Sequence, residues 1–252
     1  MERVNGVDVY IGDGQINWYN VANDNIKFAM IKATQGYSIN NPKSGKFTDR
    51  MFVNNINMAT ANNIVCGTYH YLMAKTVKEA EEEAKYFVEV ISPYKSKIQL
   101  YACVDIENDK AKTYSKSEKA LNTDILIAFC EIVNKAGFKA GIYTNPNFIK
   151  NYLEFDRLSS YTIWLAYWTD EQTMNNFVNS FKNKDQFKIW QYGSTTVDGI
   201  NDKTDGDKLL FDISELYKYK VITDNITLDK AKLIESIAKS ENIKCSIYKE
   251  MN

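Results

Sequence analysis

Eight short runs rich in β-branched and aromatic residues recur through the first 213 residues, and helix-like segments separate the early ones. Strand-like runs that alternate with helices predict an α/β protein with a (β/α)8-type barrel. The last three runs follow one another with shorter connections, so we expect regular helices to be lost after the fifth or sixth strand, giving an irregular (β/α)5β3-like barrel. The predicted strands are residues 5–10, 27–34, 64–72, 99–107, 139–144, 161–168, 187–193 and 209–213.

Two segments between these runs carry apolar residues at helical spacing. Residues 76–92 begin with Thr76, a residue type that caps helix N-termini, and residues 115–138 end near Gly137, a typical C-cap. The first helix is predicted to bury Ala80, Ala84, Phe87, Val88 and Ile91. The second is predicted to bury Leu121, Ile125, Ala128 and Ile132.

The pattern changes after about Tyr219, where a strand, an amphipathic helix and a second strand form a short β-α-β unit. We therefore predict a barrel domain over residues 1–215 and a small C-terminal element over residues 216–252. An element of this size cannot bury enough apolar surface to be stable alone. It packs on the barrel, forms homo-oligomers or belongs to a larger module. Its helix has an apolar face made of Ala231, Ile234, Ile237 and Ala238.

Charge and apolar runs argue against several classes of protein. A net charge of −1 gives no reason to expect nucleic acid as a partner, and no apolar run approaches the roughly 20 residues of a membrane-spanning helix. The N-terminal MERVNGVDVY has no apolar stretch typical of a secretory signal, so we expect cytoplasmic synthesis without a signal peptide.

Cysteine and histidine usage limits metal chemistry. The four cysteines form no CxxC pair, and Cys66, Cys103 and Cys130 lie in apolar surroundings that favour buried free thiols. One histidine, His70, is too few for a His-rich catalytic metal site. A Ser-His-Asp or Cys-His pairing stays open for His70. We expect His70 to be structural, however, because alternation in GTYHYL makes it a barrel-wall or packed residue and catalytic imidazoles are usually marked by a nearby nucleophile.

Two carboxylates follow the buried-looking run LYACV, in the stretch VDIE. Asp105 and Glu107 are two residues apart, so on a strand both would face the same side. Such a pair alone is more often structural or metal-binding than catalytic. Asp8, however, also ends a predicted strand, and in this architecture the chemistry lies at the carboxyl ends of the strands. A shared barrel mouth therefore favours a catalytic role.

A series of motifs runs along the chain from Gly6 to about Ile213. GVDVY with QINW opens it, FAMIKATQG lies on the second strand, GTYHY on the third, and VDIE comes next. GIYTN, IWLAYW, WQYGS and the loop VDGINDKTDGD follow. In this order the motifs resemble the pattern of the glycoside hydrolase family 25 lysozymes, and VDIE matches its Asp-x-Glu element.

The resemblance implies hydrolysis of the β-1,4 bond between N-acetylmuramic acid and N-acetylglucosamine, with retention of configuration and no cofactor. It implies four catalytic acids, Asp8, Asp105, Glu107 and Asp205, with Glu107 as general acid/base. Burial beside a second carboxylate would raise the pKa of Glu107 toward that of a proton donor, while Asp105 stays ionised. The nucleophilic partner is Asp105, Asp205 or the acetamido group of the substrate. Three further acids crowd the loop around Asp205, and Asp207 is the second choice for its role: Asp198, Asp202 and Asp207.

Aromatic residues cluster at the strand ends, where flat rings can pack on sugar faces. About half of them are expected to be ordinary barrel core. The family pattern favours Tyr69, Tyr143 and Trp168 as cleft residues. Gln35 stands where many members carry glutamate, and an amide there can still hydrogen-bond a sugar.

The expected partner is bacterial peptidoglycan, reached after release from the cytoplasm, as in an endolysin or autolysin. The C-terminal element is then either a cap on the barrel or a wall-binding or oligomerising element. Two other functions stay open: a catalytically silent glycan-binding barrel, and a metal-dependent polysaccharide deacetylase or hydrolase that would use Asp8, Asp105, Glu107 and His70.

Overall fold

Nine strands build the sheet of this protein in a computed structural model that describes residues 3–36, 47–108, 113–216 and 227–240. The chain divides into two units, Met1–Leu216 and Tyr217–Asn252. The strands, all in the first unit, are β1 (Asn5–Val9), β2 (Phe28–Gln35), β3 (Phe47–Thr48), β4 (Val65–Tyr71), β5 (Ile98–Asp105), β6 (Ala140–Thr144), β7 (Thr162–Ala166), β8 (Phe187–Thr195) and β9 (Thr204–Leu209).

Eight of these strands close into a barrel, which confirms the predicted fold class. The order is β1-β9-β8-β7-β6-β5-β4-β2, and β1 pairs with β2 to complete the ring. All neighbours run parallel except β9, which is antiparallel to both β1 and β8. The short β3 lies outside the ring and pairs antiparallel with the end of β2.

The predicted position of the last strand is wrong. The strand occupies Thr204–Leu209 and not residues 209–213. Its polar residues, which argued against a strand, face carboxylates and amides at the barrel mouth, whereas Phe211 and Ile213 pack against the inner apolar cluster. Because β9 is antiparallel, its first residues reach the mouth, where the other strands place their last ones.

Helices surround the barrel with decreasing regularity: α1 (Trp18–Asn23), α2 (Phe52–Ala61), α3 (Val77–Ile91), α4 (Lys119–Lys135), α5 (Pro146–Asn151) and α6 (Glu171–Asn179). The expected loss of regular helices after the fifth or sixth strand agrees with this order, because β3 lies outside the ring and β6 and β7 are therefore the fifth and sixth strands of the barrel. The six-residue α5 follows β6 and the nine-residue α6 follows β7. No helix separates β8 from β9.

Both long predicted helices are confirmed. A capping box begins α3: the Thr76 side chain accepts from the Glu79 amide at 3.2 Å, and Glu79 accepts from the Thr76 amide at 3.1 Å. Gly137 follows α4 with φ of +80°, a conformation that favours glycine.

The buried face of α4 is rotated from the predicted one. Leu121, Ala128 and Ile132 are only partly buried. The spacing 126, 129, 130, 133 is equally helical, and packing against the barrel selects it. The buried apolar residues of α4 are Ile125, Leu126, Phe129, Cys130 and Val133.

Alternate residues of each strand point into the barrel, where apolar side chains fill the lower layer. Glycines make room for the larger ones: a Cβ on Gly6 would lie 2.3 Å from the Phe28 ring, and one on Gly67 would lie 2.4 Å from the Met30 sulfur. The inner cluster comprises Phe28, Met30, Val65, Tyr69, Leu100, Cys103, Trp164, Ile189 and Leu209.

His70 lies on the outer face of β4, as a structural residue would. Its ring bonds Thr34 of β2 at 2.7 Å through Nδ1 and Glu83 of α3 at 2.8 Å through Nε2. It also packs on Phe87 and Phe129, with ring centroids 5.7 and 5.1 Å away. The histidine therefore joins two strands to the helix layer.

Cys66, Cys103 and Cys130 are buried free thiols, as predicted. Burial raises the pKa of the Cys66 thiol to about 12, so that it stays protonated. Cys245 lies outside the described residues.

The second unit contains α7 (Leu228–Ser240), which confirms the predicted C-terminal helix. The two predicted strands that flank it lie outside the described residues. None of the helices in the described ranges is long and apolar enough to cross a membrane.

We predict that Glu83→Ala destabilises the barrel by about 2–4 kcal/mol, because His70 Nε2 and the Met73 amide both lose a buried acceptor. The melting temperature should fall by about 5–15 °C in differential scanning calorimetry. Glu81→Ala on the same helix is the control, since it removes only the exposed Lys85 ion pair. Equal losses in the two variants would contradict the assignment.

Candidate active site

A cavity of about 180 Å³ opens at the mouth of the barrel. Its wall is made by the carboxyl ends of the parallel strands and the first residues of the antiparallel β9. The lining residues are Asp8, Tyr10, Lys32, Tyr69, Tyr71, Asp105, Glu107, Tyr143, Trp164, Gln191 and Asp205.

The two-residue period of the strands explains why polar residues meet here. On β2, Lys32 continues the inward series of Phe28 and Met30, and on β5, Asp105 continues that of Cys103. The lower layer of the barrel is apolar, and the next layer toward the mouth is polar. A dry floor therefore lies directly beneath the charged groups.

The four predicted acids all reach this cavity. Asp105 ends β5 and is buried, and Glu107 lies two residues farther along and is partly exposed. Asp8 of β1 pairs directly with Asp205 of β9 across the antiparallel ladder. The strand-end prediction thus places Asp8, Asp105 and Glu107 correctly, and Asp205, which the resemblance implied, joins them from the first residues of β9. Their catalytic roles stay a prediction.

Gln191 of β8 holds the acidic side of the site together. Its amide nitrogen donates to Asp8 Oδ2 at 2.9 Å and to Asp205 Oδ2 at 3.5 Å. Its carbonyl oxygen accepts from the Tyr143 hydroxyl at 3.1 Å and from Trp168 Nε1 at 3.0 Å. All four contacts agree on one orientation of the amide. Gln191 was not among the predicted site residues, although it belongs to the WQYGS motif of the family pattern.

Burial and mutual repulsion perturb the acids around Asp8. Burial, and then the charge of Asp205, raise the pKa of Asp8 from 3.8 to about 7. Burial also raises the pKa of Asp205. One further acid joins them from the turn after β1: Asp13, which accepts the Tyr10 amide at 2.8 Å and whose pKa is raised by burial. The sequence analysis did not single out Asp13.

Asp207, the second choice for the role of Asp205, is fully buried and does not line the cavity. Its Oδ1 accepts from Trp164 Nε1 at 2.7 Å. Burial, followed by the charge of Asp8, holds the pKa of Asp207 well above its ordinary value. Asp198 and Asp202 are exposed on the preceding loop, away from the cavity lining.

Aromatic rings form the floor and one wall of the cavity. Trp164 is buried, with Tyr143 and Tyr69 edge-on to it at centroid distances of 4.5 and 5.7 Å. Burial, and then nearby aspartates, hold the pKa values of the Tyr69 and Tyr143 hydroxyls well above the ordinary range. Both hydroxyls therefore remain protonated, and that of Tyr143 donates to Gln191. Other aromatic residues at the strand ends pack in the outer core, as was expected for part of them: Tyr167, Trp190 and Tyr192.

Trp168 is 61% exposed beside the cavity and presents an open ring face, although it is not part of the lining. Gln35 does not line the cavity either; its carbonyl accepts from Lys32 Nζ at 2.9 Å. Lys32 also lies 4.9 Å from the centre of the Tyr71 ring. Gln35 is thus linked to the cavity through its hydrogen bond with Lys32, a lining cation that was not among the predicted site residues.

His70 points to the helix layer, so the set Asp8, Asp105, Glu107 and His70 is not brought together. Within the described part of the chain, no group of three or more His, Cys, Asp or Glu side chains is arranged to hold a metal ion.

Comparison with known proteins gives consistent relatives. The autolytic lysozyme of Clostridium acetobutylicum is 24% identical over 204 residues, covering 81% of this chain and 55% of the relative, so the chain spans about half the length of that protein. The crystal structure of the CTP1L endolysin superposes with a TM-score of 0.64 at 22% identity, over 93% of this chain and 69% of that one. A lysozyme from Streptomyces coelicolor gives a TM-score of 0.65 at 20% identity, over 86% of this chain and 96% of that one.

The family model of the Glycosyl hydrolases family 25 matches residues 7–200, which is most of the barrel and includes three of the four acids. The fourth, Asp205, follows five residues later on β9. Together with the closed barrel and the acidic cavity at its mouth, this match confirms the resemblance seen in the motifs, and the chain belongs to the Glycosyl hydrolases family 25.

Proposed function

We propose that this protein is a lysozyme that cleaves the β-1,4 bond between N-acetylmuramic acid and N-acetylglucosamine in bacterial peptidoglycan. The observation that carries the proposal is the convergence of Asp8, Asp105, Glu107 and Asp205 on one cavity with an aromatic floor. The open ring of Trp168 gives a sugar a surface on which to pack. The matched autolytic lysozyme supports the same reaction class.

Glu107 is the proposed proton donor. It borders the cavity and is partly exposed, so it can reach a glycosidic oxygen in a bound chain. The C1–O bond breaks as Glu107 protonates the leaving oxygen, and the positive charge that develops on the sugar is stabilised by nearby carboxylates. A water molecule then adds at C1, and its proton returns to Glu107.

Retention of configuration requires two displacements at C1. The first uses an oxygen of Asp105, of Asp205 or of the substrate acetamido group. In each case the second displacement by water completes hydrolysis with the original anomeric configuration. Asp105, which ends β5 two residues before Glu107 and lines the same cavity, is the residue proposed to stabilise the positive charge.

The proposed catalytic unit is the barrel, Met1–Leu216, and the unit Tyr217–Asn252 is a separate wall-binding or oligomerising element. The proposed site of action is the cell wall, reached after release from the cytoplasm. Sedimentation of the full chain, alone and with purified cell walls, tests the second unit. A chain that sediments as a monomer and pellets no more with walls than without them would contradict both roles.

We predict that Glu107→Gln lowers kcat by about 10²–10⁴-fold, because an amide cannot deliver the proton. Turbidity loss of purified cell walls measures the rate, and mass spectrometry of the digest should show new reducing ends on N-acetylmuramic acid. Binding of the variant to walls should be unchanged. Reducing ends on N-acetylglucosamine would refute a muramidase.

The two rival functions give different results in the same assay. A silent glycan-binding barrel would clear no walls with the wild type anywhere between about pH 4 and 8 while still binding them. A metal-dependent hydrolase would lose activity in EDTA and regain it with a divalent ion, whereas the proposed mechanism is unaffected.

We predict that the nucleophile can be separated with modified substrate. If the acetamido oxygen attacks, glycans whose N-acetyl groups have been removed should be cleaved more slowly by a factor of about 10² or more. In that case Asp205→Asn should retain most activity. If Asp205 attacks, Asp205→Asn should lose activity on both substrates. Proton NMR of the first product anomer checks retention in either case.

We predict that Asp8→Asn lowers activity but stabilises the fold at alkaline pH. The folded pKa of Asp8, about 7, lies above the ordinary 3.8. Folded protein therefore keeps a proton that the unfolded chain releases, and the fold loses stability as the pH rises from about 4 to 7, with no further loss above that. Asp8 borders the cavity, so we expect a gain of about 1–3 kcal/mol at pH 8.

Thermal denaturation of wild type and Asp8→Asn at pH 4.5 and pH 8 measures this effect. The difference in melting temperature should be several degrees at about pH 8 and should shrink at about pH 4.5. Asp202→Asn on the exposed loop is the matched control and should change neither stability nor activity. A difference that is the same at both pH values would contradict the raised pKa.

A further inference from the structure

Asp207 is a buried acid that the proposed reaction does not use. It lies on the inner face of β9, two residues below Asp205, and pairs across the ladder with Gly6. Asp207 is fully buried, so substrate cannot touch it there.

One oxygen of Asp207 has an obvious donor and the other does not. Oδ1 accepts from the Trp164 indole at 2.7 Å. Oδ2 is buried and receives no N–H or O–H donor from the described residues. Across the β1–β9 ladder Asp8 is its diagonal neighbour, because Asp8 pairs with Asp205, two residues before Asp207. The two carboxyl groups also perturb each other's pKa. Two carboxylates can be joined by a hydrogen bond only when one of them carries a proton.

The charges around the pair decide which form is stable. An ionised Asp207 would place an uncompensated charge in the dry interior beside Asp8 and Asp205. The titratable groups that interact electrostatically with Asp207 supply no positive charge to offset its negative charge. They are Asp8 on β1, Cys103 on β5, Tyr143 on β6 and Asp205 on β9. Burial and the charge of Asp8 accordingly raise the pKa of Asp207, and the bond from Asp207 lowers that of Asp8.

We propose that Asp207 is a positioning residue: a buried carboxylic acid that donates its proton to Asp8 from below the cavity and so fixes the orientation and charge of Asp8. Gln191 donates to Asp8 Oδ2 from the side at 2.9 Å. Asp8 is thus held between two donors while it faces Asp205. This role rests on the proposed function, because Asp8 matters only if the cavity is catalytic.

Two substitutions separate the proton from the space that it occupies. Asp207→Asn keeps an acceptor for Trp164 and offers an N–H to Asp8 that cannot be lost. Asp207→Leu fills a similar volume but gives Asp8 no donor. The pH dependence of kcat/KM on soluble peptidoglycan fragments is measured for both and for wild type.

We predict that Asp207→Asn keeps kcat within about threefold of wild type, with the acid limb of the profile unmoved. Asp207→Leu should lose about tenfold or more, and its acid limb should move up by about one pH unit, because Asp8 ionises less readily without a donor. A downward shift in Asp207→Asn would mean that Asp207 is charged in the wild type and would overturn the proposal. An acid limb that stays in place in both variants would reduce Asp207 to a packing role and would also overturn it.

Infrared spectroscopy tests directly whether Asp207 carries a proton, and it needs neither an activity assay nor the Asp207→Leu variant. At about pH 8.5, where Asp8 is ionised, the wild-type minus Asp207→Asn difference spectrum should show the C=O stretch of a protonated carboxylic acid. Carboxylate bands alone would overturn the inference. If the band is present in a chain that cleaves no peptidoglycan, the proposed function fails and the proton assignment stands. If the chain cleaves peptidoglycan and the band is absent, the proposed function stands and the proton assignment fails.

Discussion

The electrostatic cost of enclosing several carboxylates at one barrel mouth governs the rest of this structure. Asp8 and Asp205 are paired across a ladder, Asp207 lies beneath them and Asp105 approaches from another strand. Like charges in a poorly solvated space repel strongly, so each acid must be protonated, hydrogen-bonded or open to solvent. The donors Gln191 and Trp164 and the raised pKa of Asp8 are the ways in which this barrel meets that requirement.

The apolar layer beneath the acids sets the strength of their interaction. Trp164 and its tyrosine neighbours fill the barrel below the cavity and leave little room for water to screen the charges. The same rings form the surface that a sugar would meet. Packing and chemistry are therefore joined in one layer of side chains, and a substitution made to loosen the core would also change the acidity of the site.

Much of this arrangement could be predicted from the sequence, and the failures have a common cause. Period-two alternation and strand ends located Asp8, Asp105 and Glu107, and the resemblance to the family added Asp205. The alternation of strand-like and helix-like runs predicted the barrel. Gln191 was missed because a neutral amide acquires its role only from partners on three other strands. The face of α4 was rotated because packing against the barrel selected one of two equally periodic faces. The last strand was misplaced because its polar residues face the barrel mouth, whereas the apolar residues after it resemble a buried strand.

The antiparallel direction of β9 has a consequence for how the site is specified. A strand that enters from the mouth delivers its earliest acid to the cavity and its next inward acid to the support below. A slip of two residues in the pairing of β9 with β1 could keep both side chains facing inward but bring Asp207 to the level of Asp8 and carry Asp205 two residues beyond it. The register of β9 against β1 thus determines which aspartate lines the cavity and which one is buried beneath it.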